Sequence, residues 1–82
     1  MRATVEPSAS SVEEIANLAG VHGGVGVRAR VYAYPSARGT RHEIVLEANG
    51  ERAIIDVPRG ESPRSLAERA MTIFADSVAV RG

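Results

Sequence analysis

The stretch "EIVLEANGERAIIDV", residues 43–57, decides how this chain folds. Its apolar residues alternate with polar ones on both sides of Asn49-Gly50. That dipeptide is the strongest short-range hairpin signal, because both residues tolerate the positive φ of a type I′ turn. A two-residue loop also fixes the register. Ala48 then faces Glu51, Glu47 faces Arg52, Leu46 faces Ala53, Val45 faces Ile54, Ile44 faces Ile55, Glu43 faces Asp56 and His42 faces Val57.

Upstream, Val25, Val27, Ala29, Val31 and Ala33 alternate with Gly26, Arg28, Arg30, Tyr32 and Tyr34 until Pro35. This is a second period-two run, and it predicts a strand antiparallel to residues 40–48. Slipping it by one residue would turn its whole apolar set to the wrong face. A four-residue loop, Ser36 to Gly39, keeps the faces matched. It pairs Tyr34 with Arg41, Ala33 with His42, Tyr32 with Glu43, Val31 with Ile44, Arg30 with Val45 and Arg28 with Glu47.

Helices are predicted on either side of these strands. "SSVEEIANLAG", residues 10–20, has a capping box in Ser11 and Glu14, a face of Val12, Ile15, Ala16 and Ala19, and a stop at Gly20. "VHGGVG" reads as a flexible link to the first strand. At the other end Ser62 caps a helix and Pro63 fits its first turn. Leu66, Ala70, Ile73, Phe74 and Ser77 form its inward stripe, with Ala67, Met71 and Val78 beside it. Arg64 and Glu68 are spaced to pair on the outside.

The expected fold is therefore α+β: an α-β-β-β-α two-layer sandwich, its three-stranded antiparallel sheet in order 1-2-3, both helices on one face. Residues 1–9, with "RATVE" before Pro7, are a tail or an extra N-terminal edge strand; residues 10–82 form a single domain. The order helix, three strands, helix resembles that of double-stranded-RNA-binding domains, over residues 11 to 80. That family's second helix opens with a lysine cluster facing phosphates. Here it opens "SPRSLAER", so the resemblance implies a fold and does not carry RNA binding with it.

Composition narrows the function. The chain has 82 residues, ten arginines against ten acids, no lysine, no cysteine, one Phe, two Tyr and no Trp. A domain this small buries only about 60–65% of the surface its unfolded form exposes. Its core must come from Val, Ile, Leu and Ala. Without cysteine there are no disulfides, thiolate metal sites or thiol nucleophiles. No signal-peptide pattern and no run of ~20 apolar residues is present, which predicts a cytoplasmic protein with no membrane partner. The bias toward Ala, Arg, Gly and Val fits a small accessory or regulatory protein of phage or high-GC bacterial origin.

Chemistry is sparse. Glu43 opposite Asp56 is a carboxylate pair on an open sheet, with arginines in reach, and reads as surface rather than as a catalytic or metal site. His22 and His42 have no ligand spacing. Gly24-x-Gly26-x-x-Ala29 resembles a dinucleotide fingerprint, but it precedes a strand instead of opening a helix. "HGGVG" has no accompanying G-x-S-x-G nucleophile. The loop "PRGESPR" offers Arg59, Arg64 and a helix N-terminus to an anion, against Glu61. The expectation is a chain that is no enzyme, with no catalytic residue, metal, cofactor or small-molecule substrate.

What remains is the sheet face opposite the helices. It carries Arg28, Arg30, Tyr32, Tyr34, Arg41, Val45, Arg52 and Ile54. An apolar centre of Val45 and Ile54, with tyrosines and arginines around it, has the composition of an interface. The expected role is an interaction or assembly module that docks through this face on a protein partner or on itself as a homodimer. The alternative is nucleic-acid binding by the same arginines and tyrosines, since residues 21–42 hold four arginines and no acid.

Overall fold

The computed structural model describes residues 12–81. Four strands, β1 (Glu13–His22), β2 (Val25–Ser36), β3 (Gly39–Ala48) and β4 (Glu51–Asp56), are followed by one helix, α1 (Pro63–Arg81). The strands form an antiparallel meander in the order β1-β2-β3-β4. The tail or edge strand expected in residues 1–9 lies outside the described residues, as does Ser11.

The first helix of the expected fold is not there. Residues 13–22 form β1, so the architecture has four strands and one helix rather than three strands and two helices. The topological resemblance to double-stranded-RNA-binding domains ends with it. Two physical reasons account for the change. A helix of about two turns has little intrinsic stability, whereas β2, twelve residues long, would present an unpaired edge without β1. The link "VHGG" is also a turn: Gly23 at φ 58° and Gly24 at φ 81° close a two-residue hairpin that sets His22 opposite Val25. Within β1, Ala16, Leu18, Gly20 and His22 are half-buried and alternate with exposed Asn17, Ala19 and Val21. A bulge between Glu14 and Ala16 interrupts that alternation at Ile15. The extra residue is what gives Val12, Ile15 and Ala16 their helix-like spacing.

The other registers are those expected from the loops. Ala48 faces Glu51 and Glu43 faces Asp56 across β3–β4, and the Val57 N–H donates to the His42 carbonyl at 3.1 Å. Across β2–β3, Arg28 faces Glu47, Val31 faces Ile44 and Tyr34 faces Arg41. The loop between them is tighter than the expected Ser36–Gly39. Ser36 pairs with Gly39, leaving Ala37-Arg38 as the turn, and the strand runs through Pro35. The Ser36 hydroxyl stitches this turn, donating to the Gly39 carbonyl at 2.6 Å and accepting the Arg38 N–H at 3.3 Å. Pro35 is tolerated because β1 pairs with β2 only from Ala33 onward, so no described strand needs its N–H.

The inner face is the one expected: Val25, Val27, Ala29, Val31, Ile44, Leu46 and Ala48 are buried beneath α1. Ala29, Ala67 and Ala75 are fully buried. These methyl-sized contacts let the helix lie close to the sheet. Burying Val31, Ile44, Leu46 and Val78 contributes about 1.5–3 kcal/mol each. The Ser62 hydroxyl caps α1 by accepting the Ser65 N–H at 3.3 Å, and Pro63 occupies its first position. Arg64 and Glu68 pair at 3.8 Å.

The stripe of α1 is rotated from the expected one. Ala67, Ala70, Met71, Ala75 and Val78 are buried, and Ile73, expected inward, is 69% exposed. The helix packs chiefly on β2, then β3, and only lightly on β1. Its Leu66, Ile73 and Phe74 side therefore looks toward β4. There Leu46, Ala53, Ile55, Leu66, Ala70, Ile73 and Phe74 line an apolar groove.

Candidate interaction surface

All eight expected binding residues lie on the sheet face away from α1, and no described element covers it. The ladders fix their rows. Ala19, Arg28, Glu47 and Arg52 stand across the four strands; then Asn17, Arg30, Val45 and Ile54; then Glu14, Tyr32, Glu43 and Asp56. Tyr34 and Arg41 form a last, shorter row. The β1 members, Glu14, Asn17 and Ala19, were hidden by the helical reading of that segment.

The arginines are tied down among themselves and their acids. Arg52 meets Glu47 at 3.0 Å, and Arg30 reaches the other carboxylate oxygen of Glu47 at 4.0 Å. Arg28 does not flank Glu47 as its row position suggests. It turns to β1 and donates to the Asn17 side-chain oxygen at 2.6 Å, while the Asn17 amide donates to Glu14 at 3.1 Å. Arg41 pairs with Asp56 at 3.8 Å. The Arg30 guanidinium is held protonated above its already high ordinary range, first by a hydrogen bond with the Tyr32 side chain and then by the charge of Glu47. Its Nε is covered by neighbours and has no hydrogen-bond partner among the described residues.

Two properties of the face follow. Among the described residues four arginines stand against four carboxylates, Glu14, Glu43, Glu47 and Asp56, so these rows of the face are formally neutral. Its apolar centre is asymmetric: Val45, Tyr32 and Tyr34 are half-buried among their neighbours, and Ile54 on the outermost strand is 59% exposed. Glu43 and Asp56 do sit opposite each other, and among the described residues only Asp56 of the two has an arginine within ion-pair reach.

Elsewhere the chemistry is thin. Among the described residues no three His, Cys, Asp or Glu side chains cluster as a metal site. His22 Nδ1 lies 3.4 Å from the Thr72 hydroxyl, which ties β1 to the helix. A basin at the Pro35 end of the sheet is lined by Arg38, Arg41, Arg59, Asp56 and Glu61. Its charges are largely engaged: Arg59 donates to the Arg38 carbonyl at 3.5 Å and Glu61 pairs with Arg69 at 3.1 Å. No described helix is long and apolar enough to cross a membrane.

Comparison of the chain with family models, with curated proteins and with solved structures finds no match to any of them.

Proposed function

We propose that this chain is a non-enzymatic interaction module that docks through the open face of its sheet on a protein, whether a different protein or a second copy. The observation that carries the reading is the neutral, uncovered face itself. Its Tyr32, Tyr34, Val45 and Ile54 are framed by arginines, of which Arg30, Arg41 and Arg52 are paired with acids and Arg28 bonds Asn17. A surface for phosphates needs surplus positive charge and releases counterions on binding. Here that surplus is cancelled within the face. Tyrosine and arginine around an aliphatic centre suit a protein surface, where they supply much of the binding energy at such sites.

The test is site-specific photo-crosslinking in the cell. A photoreactive side chain at Val45 is expected to trap one defined protein, and the same group at exposed Ala79 on the helix to trap none. Loss of that product in Tyr32→Ala supports the face as the docking surface. Equal trapping at both positions refutes it. So does salt-dependent binding of single-stranded DNA or RNA oligonucleotides that Arg28→Ala and Arg30→Ala abolish, which would make the face a nucleic-acid surface.

A further inference from the structure

The strand at the sheet's outer edge is built to pair with itself. We propose that β4 of one chain pairs antiparallel with β4 of a second copy, about a two-fold axis through Ile54, and that the two apolar grooves beside the helices close on each other. This interface shares Arg52 and Ile54 with the open face but joins the copies through the backbone edge of β4, so a partner on the face and a partner on the edge are told apart by which residues they protect.

The argument begins with backbone geometry. The Asn49-Gly50 loop closes on Ala48 and Glu51, so Glu51, Ala53 and Ile55 exchange their hydrogen bonds with β3. The Val57 N–H bond to His42 continues the same alternation. The N–H and C=O groups of Arg52, Ile54 and Asp56 therefore point outward, and no described strand lies beyond them. The two edges of the sheet differ. β1 carries a bulge, a feature that discourages edge pairing, and β4 is regular.

Side chains then select the register. A two-fold axis perpendicular to the sheet pairs residues from the same face. Placed at Ile54, it sets Ile54 on Ile54, Ala53 on Ile55, and Arg52 of each copy on Asp56 of the other. Both ends of the strand thus meet opposite charge. Moving the axis by one residue either way sets an apolar isoleucine against Arg52 or Asp56 and loses the match. The Ile54 register also answers the repulsion between Glu43 and Asp56, since Arg52 of the other copy arrives beside that pair. On the helix side it brings Ala53 and Ile55 of both copies together beneath Leu66, Ile73 and Phe74, at the groove that one helix leaves open. Such a contact is isologous and closes as a dimer. It lies at the small end of protein interfaces, about 1,200 Å² or less in total, so the association is weak.

Sedimentation velocity on the full chain, from micromolar to millimolar concentration, tests the proposal. The wild type is expected to pass from monomer to dimer. Arg52→Asp and Asp56→Arg each place like charges at both ends of the pairing and are expected to weaken association by ~10-fold or more. Mixing the two variants restores opposite charges at both ends, and the mixture is expected to form a dimer that neither forms alone. Amide exchange at Arg52, Ile54 and Asp56 in the wild type gives a readout that needs no variant: protection should rise with concentration. A wild type monomeric at millimolar concentration, a mixture that stays monomeric, or edge protection independent of concentration overturns the proposal. Tyr32→Ala, on β2 and two strands in from the edge, is expected to leave this dimer intact, which separates it from failure of the open-face reading.

Discussion

Replacing Gly23 and Gly24 together by alanine separates the hairpin from the flexible link by the sign of the effect. In a flexible link, each Gly→Ala change removes freedom from the unfolded chain and stabilises by about 0.4–1 kcal/mol. In the hairpin, both positions have positive φ, 58° and 81°. A side chain in that region costs about 1–2 kcal/mol per residue. Nothing else opposes the methyl groups. A Cβ at Gly23 would come no nearer than 4.0 Å to Asp76 Oδ1, and one at Gly24 meets nothing within 4 Å. The strain is therefore isolated from any clash. After subtracting the gain in the unfolded state, the pair should lose up to about 3 kcal/mol, about 1.5 kcal/mol at the centre of both ranges. For a domain of this size that lowers the melting temperature by roughly 4–8 °C per kcal/mol. Gly26→Ala is the internal control, because Gly26 has no positive φ and open space around it. Gly23→Asn, which copies the Asn49-Gly50 turn, should stay near the wild type. Thermal and urea unfolding followed by circular dichroism measure all four proteins. A double variant more stable than the wild type refutes β1 as the partner strand of β2.

Three further outcomes follow from the packing. Ile44→Ala should cost about 2–5 kcal/mol in urea unfolding, because Ile44 is fully buried, whereas Ile54→Ala on the open face should cost less than ~1 kcal/mol. Ser62→Ala removes the hydroxyl that accepts the Ser65 N–H and should cost about 1 kcal/mol, with Ser62→Asp recovering most of it. Glu47→Gln breaks the contacts with Arg30 and Arg52, and its cost should be at most ~1 kcal/mol, shrinking as salt rises. A salt-independent loss of several kcal/mol would place Glu47 in a far less solvated setting than this face provides.

The parts of the fold legible in the sequence are those where a loop fixes a register. Asn49-Gly50 set every pair from Ala48–Glu51 to Glu43–Asp56, and the rule that apolar residues share a face set the β2–β3 pairs. Those two constraints carried all eight open-face residues to their places. What was misread lies where a signal of one period overlaps another. Ser11, Glu14, Ile15 and Ala19 resemble a capped amphipathic turn, but Ile15 is the extra residue of a bulge, and a bulge shifts a two-residue period into a three- or four-residue one. Gly23-Gly24 is itself a hairpin signal and was the available clue. The side-chain partners were less readable than the rows. Arg28 opposes Glu47 on the ladder yet bonds Asn17, because the strand that supplies Asn17 was not counted. The rotation of α1 that leaves Ile73 outside depends on there being one helix instead of two, which no residue within α1 can report.

That single helix also explains why apolar surface is left bare beside β4, one of the two edge strands. Strands lie about 4.8 Å apart, and a helix with its side chains spans about 10 Å, so one helix covers two strands and part of a third. A four-stranded sheet must leave something bare. Because α1 sits over β2, whose Ala29 lets it come close, the shortfall on the β1 side falls on Ala16, Leu18, Gly20 and His22, of which Leu18 is the one large aliphatic side chain. On the other side it falls on Ala53, Ile55 and Val57, which are only half-buried. Apolar area is left exposed there beside a regular strand whose outward backbone groups have no described partner. Covering that strip by a second copy requires no change in the monomer, only the meeting of two identical edges in the register that their own charges favour.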